Sequence, residues 1–363
     1  MALVLANVSK RVGADLHIDD VSLTLEPGGF NVLLGRTLAG KTTLMRLMAG
    51  LDRPTSGRIL MDGRDVTGEP VQKRNVAMVY QQFINYPSMT VYDNIASPLK
   101  VAGVARAEMD RRVREVAELV HIETFLERLP AELSGGQQQR CAMARALVKN
   151  ADLLLFDEPL VNLDYKLREE LRYEMREIFK TSGTIAVYAS TEPVEALSLG
   201  GNTAVLHEGR LVQYGHTADV YHRPTTIDVG RVFSDPPINL FPGKLDQQGL
   251  HIGRDIRVPR IAHLGGLADG DYQVGVRANH LFVHRHSDHD VELGCEVDLA
   301  EIGGSETFIH ARHGAIELTV QQKGAHNFAL GDHISVFVNP RNLFVFDATG
   351  KLAAYPDRVT LSK

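Results

Sequence analysis

The chain has 363 residues, more than one hydrophobic core comfortably holds, so two domains are expected. A formal charge of −6 spread over 23% charged residues provides no broad basic field, which argues against nucleic acid as a partner. No apolar run is long enough to cross a bilayer, and the opening "MALVLANVSKRVG" is too short in apolar residues for a secretory leader. The expectation is a cytoplasmic protein that acts on a membrane only through a partner. Cys141 and Cys295 fit no metal or redox spacing and are expected as buried, reduced thiols.

In chain order, "LVLANV" (3–8) and "VSLTLE" (21–26) alternate as antiparallel strands do. "FNVLL" (30–34) reads as a short buried strand, and "KTTLMRLMAGL" as the helix that follows. Met109, Val113, Val116 and Val120 recur at helical spacing, which predicts an amphipathic helix over 106–120. Ser134-Gly135-Gly136 opens another helix, "QQQRCAMARALV". "ADLLLFDEP" has the continuous apolar run of a central parallel strand, and Gly183 stops the helix that comes next, before the strand "TIAVYAS". Strands alternating with helices predict an α/β fold with a parallel sheet. Beyond "SDPPINLFPG" (234–243) the text turns to short β-type runs separated by Gly, Asp and Asn, the pattern of a small all-β barrel. The boundary is placed near 235, giving domains 1–235 and 236–363.

The chemistry concentrates in "GRTLAGKTT", residues 35–43, between strand and helix. Gly35, Gly40, Lys41 and Thr42 satisfy G-x-x-x-x-G-K-[ST]. Glycines let backbone amides turn inward around an anion, and the helix that follows directs its positive end there. The loop as a whole, Gly35, Arg36, Thr37, Leu38, Ala39, Gly40, Lys41, Thr42 and Thr43, is the candidate ATP site. Lys41 is expected to reach the β- and γ-phosphates, and Thr42 to ligate Mg²⁺ together with Asp157. Glu158, next to Asp157, is the candidate base for the attacking water.

"LSGGQ" (Leu133, Ser134, Gly135, Gly136, Gln137), set between the phosphate loop and Asp157-Glu158, decides the family. With Gln81 in "VYQQF" and Asp164 in "NLD", the chain resembles the ATP-binding subunits of ABC transporters. "DPPINLFPG" and "VGVRANHL" further resemble the importer ATPases of the maltose and glycerol-phosphate type. The resemblance implies a P-loop ABC ATPase domain with a helical subdomain at about 86–150, followed by an OB-like (TOBE) regulatory domain. It also implies head-to-tail pairing, in which Ser134 and Gly136 touch a γ-phosphate held by a partner chain and Asp164 lies in the D-loop. Gln81 would sense Mg²⁺, and the helical subdomain would receive a coupling helix. The implied partners are two transmembrane permease subunits, a second ATPase subunit and, indirectly, a periplasmic or extracellular solute-binding protein. The implied location is the cytoplasmic face of the cell membrane, and the implied cargo a sugar, polyol or glycerol-like solute.

Three positions depart from that pattern. Thr191 stands where the family has a histidine that contacts the γ-phosphate, and threonine lacks a long, chargeable ring. Val12 stands where an aromatic ring usually stacks on adenine, a face worth about 1 kcal/mol. Leu38 stands where glycine is usual. The pattern of change suggests a phosphate loop that binds ATP but hydrolyses it poorly, paired with a second, different ATPase whose site the intact LSGGQ completes. The competing expectations are an active homodimer and a regulatory subunit whose ATP is structural. An ABC protein of translation or DNA repair is a weaker match, because the chain has neither a second cassette nor a long coiled-coil insertion. His284 and His286 are placed on one face of a strand, where a metal could bind, although an exposed, metal-free pair is the simpler expectation.

Overall fold

The computed structural model describes residues 2–356 apart from Phe83, Asn162, Ser182, Arg254 and Ile261. The chain forms two compact units, Met1–Thr217 and Ala218–Lys363. The first begins with two long antiparallel strands, β1 (Leu3–Val12) and β2 (Asp15–Leu25), then β3 (Phe30–Leu34) and α1 (Lys41–Ala49). The strands β4 (Ser56–Met61), β5 (Arg64–Asp65) and β6 (Val76–Val79) come next. Three helices, α2 (Val91–Val101), α3 (Arg106–Leu119) and α4 (Gly135–Leu147), separate β6 from β7 (Leu153–Asp157). The unit closes with α5 (Tyr165–Thr181), β8 (Ile185–Ser190), α6 (Pro193–Leu199), β9 (Asn202–His207) and β10 (Arg210–His216).

Two sheets organise this unit. One is antiparallel, in the order β2-β1-β4-β5; the other runs β10-β9-β3-β8-β7-β6 and is parallel apart from β10 at its edge. The central strands are apolar on both faces: every residue of β3, β7 and β8 is buried. Parallel strands covered on both sides need such continuous runs, which is why "FNVLL", "LLLFD" and "IAVYAS" do not alternate. Leu33, Leu44, Met48, Leu155 and Val187 share one core with Leu5, Ile18 and Leu23 of the antiparallel sheet. In an open parallel sheet, ligands bind beyond the carboxyl ends of the strands, and β3 and β7 there deliver the phosphate loop and Asp157.

Among the described residues, the second unit is built from α7 (Thr217–His222), whose first residue belongs to the first unit, α8 (Ile227–Val232) and eleven strands. These are β11 (Asn239–Asp246), β12 (Gly249–Ile252), β13 (Ile256–Val258), β14 (Gly270–Val276), β15 (Leu281–Phe282) and β16 (Val291–Ile302). They continue with β17 (Glu306–His313), β18 (Ile316–Lys323), β19 (His333–Val338), β20 (Phe344–Phe346) and β21 (Leu352–Ala354). Sheets β13-β12-β11-β14-β20-β21 and β15-β19-β16-β17-β18 share one core, including Phe241, Val274, Leu293 and Val336, in an OB-like barrel.

The units divide at 217/218, earlier than the boundary expected near 235. The reason is local to the second unit. Ile227 and Leu352 exchange backbone bonds with Gly350 and Thr225, at 2.9 and 3.0 Å. The buried Arg277 guanidinium lies 3.7 Å from the centre of the Tyr221 ring and donates to the Tyr221 carbonyl at 2.6 Å. Residues 218–235 therefore belong to the barrel's packing. The strand expected at "HLFVH" ends at Phe282, so His284 and His286 lie beyond it, exposed. No cluster of three or more metal-ligating side chains occurs among the described residues. Both cysteines are buried and free, and burial pushes the Cys141 thiol up to about 12 and that of Cys295 to about 11. No helix among the described residues is long and apolar enough to cross a membrane.

Candidate nucleotide site

The phosphate loop is shaped by close backbone approaches. A side chain on Gly35 would meet the Leu206 carbonyl at 2.7 Å, and Gly40 adopts φ 99°, a conformation that favours glycine. Gly40 is also the residue before α1 and supplies no side-chain cap, so the first amides of that helix are left for an anion. Residues 37–43 line a cavity of about 570 Å³ together with Gln81, Glu158, Leu16, His17, Glu208 and Gly209.

Lys41 is buried inside this cavity. Its Nζ donates to the carbonyls of Gly35 at 2.8 Å and Arg36 at 3.2 Å, and pairs with Glu158 Oε1 at 3.3 Å. Gln81 Nε2 donates to the other Glu158 oxygen at 3.3 Å. Glu158 adopts φ 47°, a left-handed conformation uncommon away from glycine. Its amide bonds to the Ala189 carbonyl at 3.2 Å, which fixes the carboxylate at the end of the sheet. Thr42 donates its hydroxyl to Asp157 at 3.1 Å. Burial is the main reason the Asp157 carboxyl is held above its usual range, offset by the Thr42 bond. Hard oxygen donors from Thr42, Asp157 and Gln81 suit Mg²⁺, which takes few protein ligands and completes its shell with phosphate and water.

The end of β8 ties these parts together. The Gly35 amide donates to the Ser190 carbonyl at 3.2 Å, and the buried Ser190 hydroxyl donates to Glu195 at 2.5 Å. Tyr188 also donates to Glu195, at 3.2 Å, and burial raises the Glu195 carboxyl above its ordinary range. Thr191 follows directly, exposed, and is not among the residues lining the cavity. Glu192 next to it pairs with Arg168 at 3.2 Å. Val12 is half exposed and likewise absent from the lining, whereas Leu38 is 95% exposed at φ 68°.

The signature residues stand apart from this cavity. Ser134 caps α4, accepting from the Gln137 amide at 3.3 Å while its own amide donates to the Gln137 side chain at 2.9 Å. This reciprocal box fixes the start of the helix without a ligand. Gly136 faces Leu163, which a β-carbon there would approach to 3.1 Å. Asp164 caps α5, accepting from the Leu167 amide at 3.0 Å. Signature and D-loop are therefore neighbours, and neither lines the chain's own phosphate cavity.

The sequence pattern of the ABC transporter family matches residues 18–161, and that of the TOBE domain matches 274–346. Over 355 residues the chain is 37% identical to the sn-glycerol-3-phosphate import ATP-binding protein UgpC 3 of Rhizobium etli, covering 96% of this chain and 98% of that one. The chain belongs to the ABC transporter family. It is also 35% identical to the Fe(3+) ions import ATP-binding protein FbpC of Vibrio cholerae, covering 94% of this chain and 97% of that protein. Among solved structures, the ATP-binding cassette MJ0796, a dimer bound to ADP and Pi, superposes with a TM-score of 0.55 at 27% identity, covering 59% of this chain and 98% of that one. This family member thus joins an ABC cassette to a barrel-shaped TOBE domain.

Of the residues that sequence reasoning singled out, the structure brings Thr37 through Thr43, Gln81 and Glu158 to one cavity, with Asp157 behind Thr42. It does not bring Thr191 or Val12 to that wall. Leu16, His17, Glu208 and Gly209 were missed, because no motif marks residues that reach a cavity through strand geometry.

Proposed function

We propose that this chain is the ATP-binding and ATP-hydrolysing subunit of an importer, working at the cytoplasmic face of the cell membrane on two permease subunits. The observation that carries the reading is the division of one chain into a phosphate cavity holding Lys41 and Glu158, and a self-capped LSGGQ turn outside it. Such a turn offers amide donors to a phosphate that another chain holds. The names of the relatives, importers of sn-glycerol-3-phosphate and of Fe(3+) ions, support importer work and leave several solutes open. Of these we favour a sugar, polyol or glycerol-like solute, delivered by an extracellular or periplasmic binding protein.

The chemistry follows from the resting contacts. Bound triphosphate draws the Lys41 ammonium from Glu158 and the loop carbonyls to its own oxygens. The released Glu158 carboxylate accepts a proton as water attacks the γ-phosphorus, and the bond to the β–γ bridging oxygen breaks. Thr42 and Asp157 would hold Mg²⁺, which when bound would supply positive charge to the phosphates.

We further propose that this chain's own site turns over slowly and that its signature serves a second, different ATPase subunit. The support is the exposed Thr191 outside the cavity wall and the left-handed Leu38 within the loop. The intact Glu158, held by Lys41 and Gln81, favours instead an active homodimer. ATP turnover by the purified chain, alone and with its co-expressed partner ATPase, separates the two. Negligible turnover alone with strong turnover in the mixed assembly is the expected result. Rapid hydrolysis by the lone chain overturns the unequal-site reading and leaves the homodimer, while slow exchange of bound ATP with transport intact would point to a structural nucleotide.

A further inference from the structure

The barrel of the second unit has a seam. In the sheet β15-β19-β16-β17-β18 the outer strands are β15 and β18, and no ladder joins them among the described residues. A side chain bridges them instead: Gln322 reaches from β18 and donates its Nε2 to the Leu281 carbonyl of β15 at 3.0 Å. Beside this bridge the seam opens into a cavity of about 490 Å³. Its lining includes Phe282 and His286 from one side and Glu306, Gln321, Gln322 and Lys323 from the other. Cavities of roughly 300–1,000 Å³ with a few convergent polar groups are the usual form of a small-molecule site, and barrel mouths are one of their places.

Strand register decides what the β17–β18 side presents. Thr307 stands opposite Gln322 and is fully buried, as is Val320 two residues before Gln322. Thr307 and Gln322 therefore point inward, and Glu306, Gln321 and Lys323 outward, on the other face of the same two strands. On that outer face Glu306 stands opposite Lys323, and the diagonal Gln321 donates its Nε2 to Glu306 at 2.8 Å. That bond uses one amide hydrogen and one lone pair, so the pair keeps both donor and acceptor capacity side by side. Across the seam the rings of Phe282 and His286 lie with centroids 4.2 Å apart, and Phe282 is half-buried.

This lining discriminates between classes of ligand. An apolar molecule would strip water from Glu306, Gln321 and Lys323 without replacing its hydrogen bonds. A polyanion would meet Glu306 beside Lys323. A solute with several adjacent hydroxyls satisfies both walls, since each hydroxyl donates and accepts while the carbon skeleton offers C–H groups to an aromatic face. We propose that the seam between β15 and β18 is a binding site for a small polyhydroxylated solute, a sugar or polyol, hydrogen-bonded by Glu306 and Gln321 with Phe282 against its C–H face. The class is read from the lining alone and stands whether or not the chain powers an importer.

The test titrates the full chain with glucose and with sorbitol, followed by saturation-transfer NMR. The first probe presents a ring and the second an open chain, so the tighter of the two identifies the form the seam takes. Gln321→Ala is expected to weaken that binding about tenfold, and Glu306→Gln, which keeps the side chain's size, about three- to tenfold. Phe282→Ala is expected to weaken it by a similar factor, and thermal unfolding of the Gln321 and Glu306 variants should stay that of the unaltered chain. Cyclohexanol, a ring with a single hydroxyl, is expected not to compete. Binding of neither probe would overturn the proposal, and equal competition by cyclohexanol would overturn the role given to the hydroxyls. Unchanged affinity in the Gln321→Ala and Phe282→Ala variants would place the solute elsewhere and overturn it as well.

Discussion

The phosphate loop and the signature turn are both glycine-containing starts of helices, yet the protein finishes them differently. At α1 the preceding residue is Gly40, which caps nothing, and the free amides face a cavity the chain itself encloses with Lys41, Glu158 and Gln81. At α4 the preceding residue is Ser134, which completes a capping box with Gln137 and lies outside that cavity. An anion-binding end that the same chain surrounds needs strained backbone at Leu38 and Glu158 to bring its parts together. The signature end, outside that cavity, is stabilised locally by its own capping box. Of the three departures from the family pattern, only Leu38 lines that cavity; Thr191 and Val12 do not.

The contrast can be broken most forcefully at Gly136. Gly136→Asp places a carboxylate where a partner's γ-phosphate is expected, and should lower turnover of the assembled transporter on the order of a hundredfold. ATP binding to the isolated chain, measured by titration, should stay as it was. Equal loss of that binding would mean that the two ends are not separate functions. A smaller effect is expected at Thr191. Thr191→His should raise turnover by the lone chain on the order of tenfold, by supplying a ring that can reach the γ-phosphate side. If turnover does not rise, the residue at position 191 does not limit hydrolysis by this chain. The least effect is expected from Leu38→Gly, which relieves a left-handed side chain but adds backbone entropy to the unfolded chain. Thermal unfolding should therefore change by less than about 1 kcal/mol, whereas a clear loss of stability would mean the exposed side chain packs against something.

Much of the site was legible because its chemistry demands particular residue types at fixed short spacing. Thr37 through Thr43 could be read because a phosphate loop needs Gly35 and Gly40 for its backbone turn and Lys41 and Thr42 for its polar groups at fixed spacing. Ser134 and Gln137 were read from the LSGGQ signature alone; that they cap each other reciprocally at the start of α4 came from the structure. The alternating text past 270 gave the barrel strands β14, β16, β17 and β18 close to where they lie. What escaped was set by contacts between distant segments. The claim of the barrel on residues 218–235 depends on Arg277 over Tyr221 and on the bonds of Thr225 and Ile227 to β21 and the turn before it.

The sequence by itself determined the α/β cassette, the order of its motifs and the family to which they belong, since each rests on local propensity or on a motif a few residues long. Only the tertiary structure decided that Lys41 rests on Glu158, and that Ser190 hangs from Glu195 while its carbonyl receives Gly35. Those contacts join residues far apart in the chain. Their partners are chosen by how the sheets pack, and no short stretch of text carries that information.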